Sequence, residues 1–242
     1  MSDTSALPEF IRKAMRMSGV QLASGFDRLF IFELDALEMH RAFVAKHFEA
    51  TTTEFEERFA AEMKAVPEGE RDELRDLWID EYETTVEILP RVQWNAQLLV
   101  AYSTFEGILQ SLCNIVEKRC KLPISFKDLG GAGIQRAADY LRKMADVRSP
   151  FETSEWQRAL LLGELRNKIA HTNGVMEVQP NNKKSLHYRA GELEHVRFVE
   201  GSKADEVLLV LNAEFVRAAL IVLRKVLLDV ANYELFPEGT EV

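Results

Sequence analysis

The sequence predicts an all-α protein with a small β-hairpin inserted before its last helix. Three observations carry this. Apolar residues recur at helical spacing through most of the 242 residues. The stretches that interrupt them are marked by proline, glycine and asparagine. Only between residues 175 and 210 does the apolar period shorten to that of a strand. At 47% apolar residues the chain can bury a core. Its longest apolar run, 218–223, falls far short of the roughly 20 residues a membrane span needs, so no bilayer crossing is expected. The first residues lack the basic-then-apolar pattern of a secretory signal, and a cytoplasmic location is expected.

Taken in order, a short leader closes near Pro8 and a helix is expected over about 26–50, with Thr51, Thr52 and Thr53 as a break and a new cap. Phe55, Phe59, Met63 and Val66 form the stripe of the next helix, and Leu74, Leu77, Trp78, Tyr82, Thr85 and Leu89 that of its successor. The two meet at the Pro67-Glu68-Gly69 turn. Proline is tolerated in the first turn of a helix and not in its interior, so Pro90 is expected to start a new unit whose helix runs to about Cys120. The chain is therefore divided into an acidic helical arm, 1–89, and a main helical domain, 90–242.

Residues 122–133 read as a loop, since the glycines there lack the Lys-Ser/Thr ending of a phosphate-binding loop. Helices are expected over 134–147 and 151–172, the second stopped by Asn173-Gly174, residues that readily adopt the left-handed conformation. Residues 175–178, 195–199 and 207–210 are short and β-rich, and Asn212 caps a last helix reaching about Leu235.

The net charge of −9 argues against nucleic acid until its distribution is considered. Residues 1–115 hold 11 Lys+Arg against 21 Asp+Glu, whereas residues 116–200 hold 15 against 11. The middle of an acidic chain is basic. Cys113 and Cys120 lie about 10 Å apart along one helix at 1.5 Å per residue, too far for a disulfide, and are read as reduced interior thiols. His40 and His47 are two turns apart with no neighbouring ligands, so neither a metal site nor a cofactor is expected.

The basic stretch contains Glu164-Leu165-Arg166-Asn167-Lys168-Ile169-Ala170-His171-Thr172 at a helix end. Leu161, Leu162, Leu165 and Ile169 form its core stripe. Arg166 and His171 flank the other side about 140° apart, with Trp156, Ala159, Leu160, Asn167 and Ala170 between them. This second apolar sector suits either the same helix of a second subunit or a bundle helix apolar on both sides.

Arg166-Asn167, three residues, then His171 resembles the signature of the HEPN superfamily, small all-α domains whose motif is Arg, four to six residues, then His. Pro90-Arg91-Val92 and the stretch from Leu98 through Tyr102-Ser103-Thr104-Phe105-Glu106 to Leu109 are similar to the first long helix of prokaryotic HEPN proteins of the RiboL-PSP type. The resemblance covers roughly 90–235. It implies an up-and-down helical bundle for 90–242, with the N-terminal helices and the hairpin as additions. It also implies a homodimeric, metal-independent endoribonuclease of the toxin or phage-defence kind, acting on tRNA or mRNA, with an antitoxin or defence partner.

Attack of a ribose 2′-OH on its phosphodiester needs a base, an acid and a cation for the phosphorane oxygens. His171 suits acid/base work and Arg166 phosphate binding, with Asn167 in a supporting role and Glu106 as a carboxylate that reaches the site. Lys168, Lys183 and Lys184 are expected to attract the RNA backbone, and Arg189 and Arg197 share the same basic hairpin. Toxins of this family neutralised by nucleotidyl transfer carry Tyr two residues after the His. Here that position is Asn173, which speaks against that form of control. The rival readings are a non-catalytic HEPN module that binds RNA or nucleotide, and a helical interaction subunit that uses its acidic arm.

Overall fold

A computed structural model describes residues 31–233. The leader near Pro8, the start of the first helix at 26 and the last residues of the helix expected to reach Leu235 lie outside the described residues. The described chain is mostly helical: α1 (Phe32–Ala65), α2 (Arg71–Tyr82), α3 (Leu89–Arg119), α4 (Gly133–Ala145), α5 (Ser154–Thr172), α6 (Leu186–Gly191) and α7 (Ala213–Ala231). Strands β1 (Val175–Glu177), β2 (Val196–Glu200) and β3 (Glu206–Leu211) form an antiparallel sheet in the order β1-β3-β2. By their contacts the described residues fall into two units. The first holds 31–36, 101–162 and 220–233, and the second holds Leu37–Val100 and Gly163–Ala219.

In the first unit the core is built on Phe105, Leu109, Tyr140, Leu141, Phe151 and Trp156, all fully buried. Phe151 and Trp156 meet edge to face with centroids 4.9 Å apart, and the Tyr140 hydroxyl donates to the Ile124 carbonyl at 2.9 Å. α5 starts at Ser154, after a 3-10 turn over Ser149–Glu152, because Thr153 Oγ1 accepts from the Trp156 N–H at 3.1 Å and caps the first turn. Cys113 is buried, which pushes its thiol up to about 12, and both cysteines are free.

In the second unit α1 and α2 are joined by the turn at 67–70, and Phe55 and Phe59 pack edge-on against Trp78 at 4.8 and 5.5 Å. Two expectations fail here. No break occurs at Thr51–Thr53, because the Thr51 and Thr53 hydroxyls fold back onto the His47 and Glu49 carbonyls at 2.9 and 3.0 Å, so the helix runs through. Nor does Pro90 begin a fresh element. Glu83–Ile88 carry α2 into α3 as a π-helix, with the Leu89 N–H reaching back to the Thr84 carbonyl, and this wider turn takes the helical path past a residue that has no N–H to give. The inserted hairpin is also larger than expected. β1 joins β3 with Val175 opposite Leu208, β2 joins β3 with Val196 opposite Leu211, and α6 lies between β1 and β2.

Candidate functional site

The second unit holds the whole Arg166–His171 segment. α5 ends where expected: Asn173 and Gly174 both take left-handed backbone, with φ of 51° and 85°. The reversal lets the Gly174 N–H reach the Lys168 carbonyl at 3.2 Å, while the Thr172 hydroxyl donates to Lys168 and Val175 carbonyls at 2.9 and 3.0 Å. The Gly174 carbonyl in turn accepts the Leu209 N–H at 3.0 Å and ties the helix end to β3. A Cβ at Gly174 would stand 3.3 Å from Leu209 Cβ. Gly174→Ala is therefore expected to cost about 1–3 kcal/mol, from left-handed backbone plus crowding, read as a lower denaturant midpoint at unchanged slope. An unchanged midpoint would mean that this junction is not tightly packed.

On this rigid end Arg166 is half-buried and Asn167 and His171 are exposed. Arg166 Nη1 donates to Asn167 Oδ1 at 2.9 Å. Arg166 and His171 leave the helix about 140° apart, but Asn167 lies only about 40° from His171, so that bond draws the guanidinium round toward the histidine's side. Neither Arg166 nor His171 has a carboxylate partner among the described residues, so the pair presents a guanidinium and an imidazole to solvent.

Glu164 shares this exposed face, three residues before Asn167 and seven before His171. It receives a bidentate pair from Arg189 on α6, with Nη1 to Oε1 at 2.8 Å, and this bond raises the arginine pKa above its ordinary value. Arg189 Nε also donates to the Lys184 carbonyl at 3.2 Å. The loop that carries Lys183 and Lys184, both exposed, is thereby tied to α5. Sequence reasoning missed this tie because α6 is only six residues long; the signal was Ser185, whose Oγ accepts from the Tyr188 N–H at 3.2 Å as an N-cap.

The other site residues are placed as follows. Lys168 is half-buried on α5. Glu106 belongs to the first unit, where its Oε1 accepts from Gln110 Nε2 at 3.3 Å and faces Gly133. The second apolar sector of α5 is divided: Trp156 and Ala159 are buried within the chain, whereas Asn167 and Ala170 are open. Among the described residues no cluster of His, Cys, Asp and Glu is arranged to hold a metal ion, and no helix is long and apolar enough to cross a membrane. No protein-family model, curated protein or solved structure matches the chain.

Proposed function

We propose that the chain is a HEPN-like, metal-independent endoribonuclease of the toxin or phage-defence kind. In this proposal residues 90–242 form the HEPN-like bundle and 1–89 an added arm. The observation that supports it is the end of α5, where Arg166 and His171 both reach solvent and Asn167, on the face between them, accepts a hydrogen bond from Arg166. In the proposed reaction one imidazole takes the proton of a ribose 2′-OH as that oxygen attacks its own phosphorus. The P–O5′ bond breaks, an imidazolium returns a proton to the departing 5′-oxygen, and the products are a 2′,3′-cyclic phosphate and a 5′-OH. Arg166 stabilises the charge on the non-bridging oxygens. Two-fold pairing of α5 across the open sector at Asn167 and Ala170 would bring two Arg166 and two His171 to one cleft, so that one histidine acts as base and the other as acid. Lys168, Lys183 and Lys184 attract the RNA backbone without reading sequence.

One observation favours a second reading, a non-catalytic RNA-binding module or subunit of a defence complex. No described residue hydrogen-bonds the His171 ring, so among the described residues none fixes its tautomer. The deciding experiment incubates wild type and His171→Ala with total cellular RNA in EDTA and maps the product ends. Cleavage by the wild type alone, leaving cyclic phosphate and 5′-OH ends, is the expected outcome. Equal cleavage by both proteins excludes His171 from the chemistry, and RNA binding without cleavage by either selects the second reading.

A further inference from the structure

A cleft of about 400 Å³ opens in the second unit. The π-turn and the start of α3 form one side; the start of β2, the end of β3 and Asn212, the cap of α7, form the other. Arg91 of α3 and Arg197 of β2 both line it. Eight other arginines are held by carboxylates, but the side chains of Arg91 and Arg197 make no ion pair, hydrogen bond or ring contact with any described residue. Two arginines that line one cavity with their guanidinium groups uncommitted suit the oxygens of a phosphate. His195 stands beside them in left-handed backbone with φ of 65°, a conformation in which histidine is among the enriched residues. The start of α7 adds the positive end of a helix dipole.

The rest of the cleft is not built for a bare anion. Val86, Val210, which shares the sheet face of Arg197, and the buried Trp94 supply an apolar wall. Glu87 at the rim repels negative charge and accepts hydrogen bonds from hydroxyl or amino groups. We infer that this cleft binds an organic phosphate: the phosphate lies between Arg91 and Arg197, and a planar or apolar body up to the size of a mononucleotide lies against the valine wall. This site is independent of the chemistry proposed for Arg166 and His171, and stands or falls separately.

Calorimetric titration of the full chain with inorganic phosphate, glucose 6-phosphate, adenosine and AMP tests it. AMP is expected to bind at least about tenfold tighter than phosphate, which lacks the body, and than adenosine, which lacks the charge. Arg91→Ala with Arg197→Ala is expected to weaken AMP at least about tenfold. Because Arg197 is exposed, Arg197→Glu alone retains the fold and carries the test should the double variant not. The inference is overturned if AMP gives no heat at millimolar concentration, if adenosine equals AMP, or if Arg197→Glu leaves AMP affinity unchanged. Binding of a 5′-phosphorylated oligoribonucleotide without binding of AMP would overturn it as well.

Discussion

Arg166→Lys is expected to slow RNA cleavage about 10²–10³-fold, the loss typical when one preorganised donor to a developing oxyanion is removed, with no loss of fold stability. Lysine keeps the charge but not the planar fork, and it cannot both hold Asn167 Oδ1, 2.9 Å from Nη1, and pair with two phosphate oxygens. Stability is predicted to hold because Arg166 Nε is enclosed without a hydrogen-bond partner, so exchanging it for a methylene removes an unsatisfied donor. Initial rates in EDTA and a denaturant midpoint check both parts. A rate within a factor of about three of wild type removes Arg166 from the chemistry. A fall in rate and midpoint together makes it a structural residue.

The largest effect on stability is expected at Trp156. It is 1% exposed and meets Phe151 edge to face. Truncation to Ala is predicted to cost about 3–5 kcal/mol, because the void left by an indole in a packed interior does not close. Phe151→Leu, which keeps most of the volume, should cost about 1–1.5 kcal/mol. Guanidinium unfolding of the two variants separates these values. A cost near 1 kcal/mol for Trp156→Ala would mean that the ring faces solvent or a partner instead of the core.

That prediction also marks where the sequence stopped being readable. Periodicity alone placed Trp156 and Ala159 in the same sector as Asn167 and Ala170, since a helical wheel has no information about length. The structure covers the first pair and leaves the second open. Features fixed by neighbouring residues were legible: the left-handed stop at Asn173-Gly174, the Asn212 cap whose Oδ1 accepts the Phe215 N–H at 2.9 Å, and the turn after Pro67. Features that depend on two competing hydrogen bonds were not. A threonine run serves equally as a cap or, by bonding back to the preceding turn, as helix interior. The pairing of Glu164 with Arg189 joins residues 25 apart through an element too short to leave a periodic trace.

The π-turn at Glu83–Ile88 acts as a phase corrector. Trp78 and Trp94 are 16 residues apart, which on an unbroken α-helix sets them about 160° from each other, on opposite faces. Yet both rings meet α1, Trp78 through Phe55 and Phe59 and Trp94 through Phe48 at 5.8 Å. A π-turn consumes one residue more than an α-turn and turns the following helix back by about 100°, which leaves the two tryptophans roughly 60° apart. One surplus residue thus allows a single helical path to present both aromatic anchors to the same neighbour, and the same widened turn forms a wall of the cleft that holds Arg91.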